Sequence, residues 1–500
     1  MKIDNELINK IEPVETSALE GIMSADYMGI SQDSRKIQKG DIFVCVEGGR
    51  VDGHKFIDDV IKKGAQLVIC SRKPAENVPY ILVKDTLSAM SVLSAAIYNH
   101  PSREMGLIGV TGTNGKTTVT HLVEAIFEKA GMSCALIGTL GSRLSSSEEY
   151  SDMGHTTPQA PELQQNLRTI ADKGIKRVVM EVSSHSLELR RVSECEFAGA
   201  VYTNLTQDHL DYHITMDNYF KAKVKLLSLL KKQPEQKRYA VINVDDEYFA
   251  QLPSLMPADV ENIAVYTYGV KNEADITAKD IAFTVEGAKF LCKTPVGERK
   301  VKMNLTGMFN IYNVLAAIGV GIAEGIDLKT CVEAVEAVPS IPGRFEVVSH
   351  EPLVIVDYAH TPDGLENVLK AAKELVPANG SLICVFGCGG DRDVTKRPQM
   401  GRIAEELCDK VIITSDNPRT EDPQQIITDI LTGITSLYSK KTIVEIDRSI
   451  AIEQAIVNSS PKDVIVIAGK GHEDYQIIAD EKIHFDDREE ARNALKKIRR

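Results

Sequence analysis

The stretch GVTGTNGKTT, Gly109 to Thr118, constrains the fold more than any other part of this chain. The apolar run MGLIGV leads into it, and apolar residues recur after it at steps of three and four until Gly131. This order predicts a strand, a glycine-rich turn and an amphipathic helix. Such a unit is typical of an α/β fold.

The same loop has the chemistry to hold an anion. Gly112 and Gly115 let backbone N–H groups approach a phosphate, and the positive end of the following helix faces it. Lys116 can reach the β- and γ-phosphates, and the Thr117 hydroxyl can bind Mg²⁺. The pattern G-x-x-x-x-G-K-[ST] requires a glycine where this chain has Val110. The spacing alone leaves open an ordinary nucleotide loop, a different ATP site, or a plain glycine turn.

Length and composition favour several compact units. The chain has 500 residues, 43% of them apolar, which is enough for two to four domains. Its net charge of −13 argues against binding to nucleic acid or to an anionic membrane. The first residues carry charges throughout, and no stretch approaches the ~20 apolar residues of a bilayer span. Nine scattered cysteines favour reduced thiols, so we expect a cytoplasmic protein without membrane insertion.

Three regions differ in their pattern. Residues 1–104 contain strand-like runs such as DIFVCV and QLVICS among short helical patterns. Residues 105–342 begin at the strand before the glycine-rich loop and continue with RVVMEV and AGAVYTN. Residues 343–500 repeat an apolar run, a polar turn and a helical segment in LVIVDYAH, SLICVFGCGG, KVIITSDNPR and DVIVIAGKGHED. Buried parallel strands have this pattern, and ligands bind beyond their carboxyl ends. We therefore predict three α/β domains.

Polar residues at two strand ends of the second region predict a metal site. Glu181 ends the run VVMEV, and His209 follows another strand in NLTQDHLDYH. Together with the loop threonine, these side chains could hold Mg²⁺. Taken alone, a strand-end glutamate is more often a surface residue, and Lys221, Lys223 and Lys225 could form a solvated helix face.

Several separated motifs resemble the Mur ligases: GTNGKTT, EVSSHSL and NLTQDHLDYH, with Tyr219 and Lys223 downstream. These ATP-dependent enzymes add amino acids to the UDP-linked muramoyl peptide of bacterial cell-wall precursors. The resemblance implies a three-domain α/β architecture with a central P-loop ATPase-like domain and a Rossmann-like C-terminal domain. It also accounts for Val110, because the family's loop has the form G-T-N-G-K-[ST].

The resemblance implies an ATP and magnesium site. Lys116, His209 and Lys223 fall at catalytic positions, and Lys223 matches a lysine that the family carbamylates into an anionic metal ligand. The metal positions are Thr117, Glu181, His209 and Lys223. The ATP-binding positions are Gly112, Thr113, Asn114, Gly115, Lys116, Thr117, Thr118, Asn310, Asn313, Arg344, Asp357 and His360. Without the resemblance, the two asparagines could also be polar first-turn residues at a helix N-terminus.

Positions for the acid substrate, UDP-N-acetylmuramoyl-L-alanyl-D-glutamate, are carried over in the same way. They are Ser34, beside Arg35 at the uridine end, and Thr156, Thr157, Ser183 and Arg191 around the muramoyl peptide. The chain departs from some members at Leu189, where they carry a glutamine. That substitution puts one polar contact in doubt.

The sequence SDNPRTEDP resembles the D-N-P-R motif of members that add meso-diaminopimelate. The corresponding positions are Arg392, Asp416, Asn417, Pro418, Arg419, Gly469 and Glu473. Diaminopimelate carries a second carboxylate and ammonium, so Arg419 could bind the carboxylate and Glu473 could accept hydrogen bonds from the ammonium. Lysine lacks that carboxylate and would leave the Arg419 charge unpaired. Considered alone, Arg419 could also be a charged turn residue.

The sequence hypothesis is thus an ATP- and Mg²⁺-dependent ligase that joins diaminopimelate to the D-glutamate γ-carboxylate through an acyl phosphate. We expect a monomer whose third domain closes over ATP about a hinge near Pro342-Gly343. The nearest alternative is the lysine-adding ligase of the same family. Folylpolyglutamate synthase, a P-loop switch or motor, and a simple binding module explain fewer of the motifs.

Overall fold

The computed structural model describes residues 1–48, 51–75, 78–230, 238–255, 263–284, 286–435 and 441–498. Three main β-sheets follow one another along the chain, and a two-stranded hairpin follows the last of them. The predicted α/β class is confirmed. Each main sheet lies within one predicted segment, while the division into domains at residues 104 and 342 stays a prediction.

The first sheet has five strands in the order β1-β5-β4-β3-β2, with only the β1–β5 pair antiparallel. Its strands are β1 Pro13–Thr16, β2 Ile30–Ser31, β3 Ile42–Val44, β4 Leu67–Cys70 and β5 Tyr80–Val83. Its helices are α1 Asn5–Lys10, α2 Leu19–Ser24, α3 Ile57–Lys62 and α4 Thr86–Ile97. Short 3₁₀ turns lie at Gly53–Phe56 and Pro101–Glu104.

The second sheet has ten strands in the order β15-β14-β13-β12-β11-β10-β6-β9-β7-β8. They are β6 Gly106–Thr111, β7 Cys134–Gly138, β8 Gly141–Arg143, β9 Arg177–Glu181, β10 Gly199–Tyr202, β11 Arg238–Asn243, β12 Ile263–Gly269, β13 Ile276–Thr284, β14 Gly287–Thr294 and β15 Gly297–Met303. Seven adjacent strands, from β7 to β13 across the sheet, are parallel, and β8, β14 and β15 are antiparallel additions.

Helices cover both faces of this sheet. They are α5 Lys116–Lys129, α6 Ala160–Asp172, α7 Ser184–Glu188, α8 Leu210–His213, α9 Met216–Ser228, α10 Met308–Ala323 and α11 Leu328–Ala337, with a 3₁₀ turn at Phe249–Leu255. Helices α5, α10 and α11 pack in one apolar cluster, and α6 and α9 pack in another. Every residue of β6 is buried, which explains its uninterrupted apolar run.

The third sheet has six strands in the order β16-β17-β21-β18-β19-β20, with β16 antiparallel. They are β16 Glu346–His350, β17 Leu353–Asp357, β18 Leu382–Phe386, β19 Lys410–Ile413, β20 Thr442–Val444 and β21 Val464–Ala468. Its helices are α12 Pro362–Lys373, α13 Lys396–Leu407, α14 Pro423–Leu431, α15 Arg448–Val457 and α16 Asp487–Ile498.

One expectation for this sheet needs correction. The first three apolar runs lead through turns into α12, α13 and α14, as predicted. The fourth, β21, leads instead into the hairpin β22 Tyr475–Ile478 and β23 Glu481–His484 before α16 begins. The two strands of the hairpin are only four residues long and mostly exposed, so no buried apolar run marks them in the sequence, and their mutual pairing defines them.

All nine cysteines are buried free thiols. Among the described residues, no helix combines the length and apolar composition needed to cross a membrane. Strand β6 lies between β9 and β10, so the glycine-rich loop leaves the centre of its sheet. The loops that follow β17, β18, β19 and β21 leave the corresponding edge of the third sheet, where ligands of α/β folds bind.

Candidate active site

The glycine-rich loop owes its shape to two glycines. Gly112 has φ +150° and Gly115 has φ +86°. A Cβ at Gly112 would lie 1.8 Å from Thr203 Oγ1, and one at Gly115 would lie 2.4 Å from Asn313 Oδ1. No side chain fits at either position, so the loop backbone packs directly against its neighbours.

Lys116 folds back along this loop. Its Nζ donates to the carbonyl oxygens of Gly112 at 2.9 Å and Thr113 at 2.7 Å. Burial lowers the pKa of Lys116. The next residue, Thr117, donates from its hydroxyl to Glu181 Oε1 at 3.0 Å. The loop thus presents a cation and a hydroxyl side by side at the start of α5.

Glu181 ends β9 and is 1% exposed. Besides Thr117, its carboxylate accepts from the backbone N–H of Thr139 at 2.9 Å and from the Thr139 hydroxyl at 3.0 Å. Strands β9 and β6 are parallel neighbours, which brings Glu181 to the glycine-rich loop. The surface alternative for this glutamate is therefore wrong.

His209 lies at the start of α8 with φ +55°, and its Nε2 lies 3.3 Å from Asp208 Oδ2. Burial lowers the pKa of His209 to about 3. Burial raises the pKa of Asp208, but its electrostatic interactions with His209, Lys396 and His360 hold the pKa below its usual value. Lys396 and His360 each lie 3.9 Å from Asp208, and both belong to the third region.

The lysines of α9 have two kinds of environment. Lys221 and Lys225 are exposed and pair with Asp217 and Glu188, as a solvated face requires. Lys223 is 1% exposed, and its Nζ donates to the Gly112 carbonyl at 2.8 Å. Burial, followed by repulsion from Lys116, lowers the pKa of Lys223 well below its usual value. The solvated-face alternative thus fails for Lys223.

Glu181 and His209 do not belong to a compact carboxylate–histidine cluster. Among the described residues, the only three such side chains with ligand atoms within 4.8 Å of one another are Glu47, Asp52 and His54, in the first sheet region. Arg72 pairs with Asp52 there. The predicted magnesium ligands surround the phosphate loop, and their shared role stays a prediction.

The second and third regions meet over a cavity of about 480 Å³. Arg344 crosses between them and donates from Nη2 to Thr117 Oγ1 at 2.9 Å. Asn114 donates in the other direction, to Asp363 Oδ2 at 2.8 Å. The predicted residues that line this cavity are Thr113, Asn114, Gly115, Lys116, Thr117, Thr118, Thr156, Glu181, Ser183, His209, Asn313, Arg344, Asp357 and His360.

Two predicted ATP residues, Asp357 and Asn310, hydrogen-bond to other groups of the protein, and their role toward ATP stays a prediction. Asp357 accepts from the backbone N–H groups of Phe345 and Ala359, both at 2.7 Å, and burial raises its pKa. Asn310 does not line the cavity. Its Nδ2 donates to the Thr306 carbonyl, and its Oδ1 accepts from Asn313 at 3.1 Å.

The predicted muramoyl-peptide residues form a chain of contacts beside Glu181. Thr157 donates to the Glu181 carbonyl at 2.9 Å, and Arg191 donates to the Thr157 carbonyl at 2.9 Å. Ser183 caps α7 by accepting from the N–H of Ser186. Burial lowers the pKa of Arg191, whose buried Nε has no hydrogen-bond partner among the described residues.

The uridine-end residues lie in the first region, outside the central cavity. Arg35 pairs with Asp33, and its side chain is 86% exposed. Ser34 offers its carbonyl to Lys63 Nζ at 2.7 Å. Leu189, the position in the second region where some family members carry a glutamine, is the C-cap of α7. None of these contacts distinguishes a substrate role, so the uridine assignment stays a prediction.

The predicted diaminopimelate residues come together at the third sheet. Arg419, with φ +52°, donates from Nη1 to the Gly390 carbonyl at 2.8 Å. A Cβ built on Gly389 would lie 2.9 Å from Arg419 Nη1 and 3.8 Å from Arg392 Cγ, so the two arginines approach the same glycine. Burial, and then the positive charge of Arg392, lower the pKa of Arg419. Pro418 packs over Gly390.

Negative groups lie next to these arginines. Glu473 Oε2 accepts from Asn417 Nδ2 at 2.9 Å. Burial, and then the charge of Asp416, raise the pKa of Glu473. Gly469 has φ +121°, and a Cβ there would lie 2.5 Å from Asp416 Oδ2.

The two ends of the site are joined through aromatic residues. Arg344, which contacts the phosphate loop, stacks 4.4 Å from the ring centroid of Tyr358. Tyr358 lies 5.1 Å from the ring of His472, which directly precedes Glu473. Burial, and then the charge of Glu473, raise the pKa of Tyr358, which lines the same cavity as Lys116, so Glu473 lies near that cavity. That Arg419 faces the cavity stays a prediction.

Three family models match successive parts of the chain. Residues 26–105, 110–321 and 343–471 match the models for the Mur ligase family catalytic domain, the Mur ligase middle domain and the Mur ligase glutamate ligase domain. A protein of Thermosynechococcus vestitus is 47% identical over 481 residues, 95% of this chain and 94% of its own. It is named UDP-N-acetylmuramoyl-L-alanyl-D-glutamate–2,6-diaminopimelate ligase. This chain belongs to the Mur ligase family.

Other relatives of this Mur ligase agree. A protein of Gloeobacter violaceus with the same name is 48% identical over 481 residues, 95% of each chain. A solved structure with that name matches all of both chains at 34% identity, with a TM-score of 0.67. The Thermotoga maritima MurF ligase in complex with ADP is 19% identical, covers 94% of this chain and 97% of its own, and has a TM-score of 0.63. That last likeness concerns the fold alone.

Sequence reasoning missed several residues of this Mur ligase site. Asp208 lies inside the quoted motif NLTQDH, and its position after β10, next to β6, could have drawn attention to it. Lys470 lies inside GKGHED, is 0% exposed, and contacts Glu473 at 3.3 Å and Asn417 Oδ1 at 3.2 Å. No local pattern marks the remaining cavity residues, among them Thr139, Asn204, Asp245, Tyr268, Lys271 and Tyr312.

Proposed function

We propose that this Mur ligase joins meso-diaminopimelate to the γ-carboxylate of UDP-N-acetylmuramoyl-L-alanyl-D-glutamate, with cleavage of ATP to ADP and phosphate. The observation that supports this most is that Arg392 and Arg419 approach the same glycine, Gly389, and that Arg419 lies within electrostatic range of Glu473. A pair of guanidiniums next to a carboxylate suits an amino-acid head that carries both a carboxylate and an ammonium.

ATP is the phosphoryl donor in this proposal. Lys116 and the loop amides would orient its phosphates and stabilise the charge that develops during transfer. The D-glutamate carboxylate attacks the γ-phosphorus, and ADP leaves. The diaminopimelate amine then attacks the acyl phosphate, which forms the amide and releases phosphate. The protein mainly positions the reactants, and Arg344 closes the cavity from the third region.

The residues around Thr117 fit a magnesium ion. Its hydroxyl and the Glu181 carboxylate are adjacent oxygen ligands, the type that Mg²⁺ prefers, and His209 lies on the same cavity. When bound, Mg²⁺ would neutralise charge on the transferred phosphoryl group. An ammonium on Lys223 does not fit beside Lys116, so we propose that Lys223 is carbamylated. Its low pKa leaves a neutral amine, which adds CO₂ and loses a proton.

Arg191 supports the proposed acid substrate. Its buried Nε, without a partner among the described residues, is suited to an anionic group of the muramoyl peptide.

The use of ATP as a co-substrate agrees with the expected cytoplasmic location. We also propose that the enzyme is a monomer, because one chain provides every predicted site residue.

The decisive experiment is product analysis. The purified enzyme is incubated with UDP-muramoyl dipeptide, ATP and equal amounts of meso-diaminopimelate and L-lysine, and the products are identified by mass. The expected product carries diaminopimelate. A product that carries lysine would favour the lysine-adding alternative, and ATP hydrolysis without any amide product would overturn the proposal.

A further inference from the structure

Two arginines are the largest fully buried side chains among the described residues, and both lie beneath the predicted amino-acid-binding loops. Arg397 and Arg448 are each 1% exposed. A buried guanidinium is tolerated only where its charge and its N–H groups are satisfied. The partners of Arg448 show what this residue holds in place.

Arg448 is the first residue of α15, and Asp487 is the first residue of α16. The guanidinium donates to both carboxylate oxygens of Asp487, from Nε at 2.7 Å and from Nη2 at 2.7 Å. Both side chains are 0% exposed. This bidentate geometry fixes the orientation of the guanidinium plane.

The other donors of Arg448 reach two loops of the site. Nη2 donates to the Ala468 carbonyl at 3.0 Å, and Nη1 lies 3.4 Å from the Ser415 carbonyl. Ser415 directly precedes Asp416, and Ala468 directly precedes Gly469. The strands that carry these loops, β19 and β21, are not neighbours, because β18 lies between them. One guanidinium therefore bridges two loops that the sheet itself does not pair.

The spacing between these loops has little tolerance. A Cβ on Gly469 would lie 2.5 Å from Asp416 Oδ2 and 3.8 Å from Arg448 Nη2. A shift of one loop would move Asp416 and Arg419 relative to Glu473, and these are the groups that must span a double-headed amino acid. Misplacement by about 1 Å can reduce activity by about 10²-fold.

Apolar contacts hold the two helices without this ion pair. Ile452 and Ile456 of α15 and Ala491 and Leu495 of α16 pack with the strands in one buried cluster. Because an apolar pair of similar size often replaces a buried ion pair without loss of stability, docking of α15 and α16 does not require the charges.

We propose that Arg448, oriented by Asp487, is a positioning residue for amino-acid recognition. It sets the separation between the loop that carries Asp416 and Arg419 and the loop that carries Glu473. This inference rests on the proposed function, since it assigns the two loops to diaminopimelate.

The test uses the full-length double variant Arg448→Met/Asp487→Leu, which removes both charges and keeps apolar volume. The expected enzyme melts close to the wild type, its KM for meso-diaminopimelate rises about tenfold or more, and its KM values for ATP and the UDP-linked acid stay within about twofold. The Arg448→Lys enzyme keeps the charge but loses the bidentate bond. Its KM for meso-diaminopimelate is expected to lie between those of the wild type and the double variant.

The matched control is Asp463→Ala. Asp463 accepts from the backbone N–H groups of Ser381 and Ser460 at the opposite edge of the same sheet. Its loss is expected to lower the melting temperature without changing the KM for diaminopimelate.

A folded double variant with wild-type KM for diaminopimelate would overturn the proposal. So would an equal rise of all three KM values together with a lower melting temperature, because that pattern indicates general destabilisation. If the double variant does not fold, Arg448→Lys decides in the same way. A wild-type enzyme that does not ligate diaminopimelate would refute the proposed function instead.

Discussion

The phosphate end and the amino-acid end of this site both hold charged side chains at the carboxyl ends of parallel strands, but the partners of those charges differ. Within the part of the chain that the structure describes, Lys116 and Lys223 hydrogen-bond only to backbone carbonyls of the glycine-rich loop. At the other end, Lys470 contacts the Glu473 carboxylate and Arg448 contacts that of Asp487.

The difference indicates two ways of preparing for a ligand. At the phosphate end, burial disfavours the positive charge of Lys116, so an anionic ligand stabilises that charge directly. At the amino-acid end, Lys470 and Arg448 pair with carboxylates, whereas Arg392 and Arg419 donate to backbone carbonyls and are suited to a ligand carboxylate. Recognition at this end therefore depends on the spacing of these groups. Mutations at the first end should therefore reduce the rate, and mutations at the second should change which amine is used.

The largest expected effect is that of Lys116→Met. Loss of the buried cation next to the phosphates should reduce kcat by about 10²–10³-fold, as for other charge-stabilising donors. ADP release measured with saturating substrates checks this. Lys221→Met, on the exposed side of α9, is the matched control and should keep wild-type turnover. Retention of more than about a tenth of the rate by Lys116→Met would contradict the comparison.

Lys223→Met should follow, with a loss of about 10²-fold, because it removes the amine that we propose to be carbamylated. If the carbamate is required, prolonged removal of CO₂ should lower wild-type activity, and bicarbonate should restore it. Carbon-13 NMR after labelling with ¹³C-bicarbonate should show a carbamate signal that Lys223→Met lacks. A fully active enzyme without that signal would rule out the modification.

Arg419→Lys should act mainly on selectivity. The variant keeps the charge but loses the planar fork, so the preference for meso-diaminopimelate over lysine should fall by about 10- to 100-fold. The ratio of kcat/KM values for the two amino acids measures it. The control is Arg402→Lys, on the exposed part of α13, which should leave this ratio unchanged. Unchanged selectivity would place diaminopimelate recognition elsewhere.

Lys470→Met should have the smallest effect, about a tenfold rise in the KM for diaminopimelate near neutral pH. Burial and Asp416 raise the pKa of Glu473, and Lys470 opposes that rise. Glu473 must be ionised to accept from the ammonium, so binding weakens as the pH falls through its pKa. Without Lys470 this weakening should begin at a higher pH. An identical pH profile of KM in both enzymes would show that Lys470 does not tune Glu473.

Local patterns were sufficient for much of the fold. The runs of three or more buried apolar residues in β6, β17, β18, β19 and β21 could be recognised because parallel strands covered on both faces need them. The hairpin after β21 could not be recognised in this way, because its strands are short and partly exposed and only their mutual pairing defines them.

The sequence by itself determined which chemical groups this protein has and the order in which strand, glycine-rich turn and helix present them. Those features depend on neighbours along the chain, and the motifs place them in the Mur ligase family. Only the tertiary structure decided that Lys223 is buried while Lys221 is solvated, that Asp208 meets charges from the third region, and that Arg448 joins two separate loops. Burial and long-range charge pairing depend on what the rest of the chain packs against each group, and no local pattern contains that information.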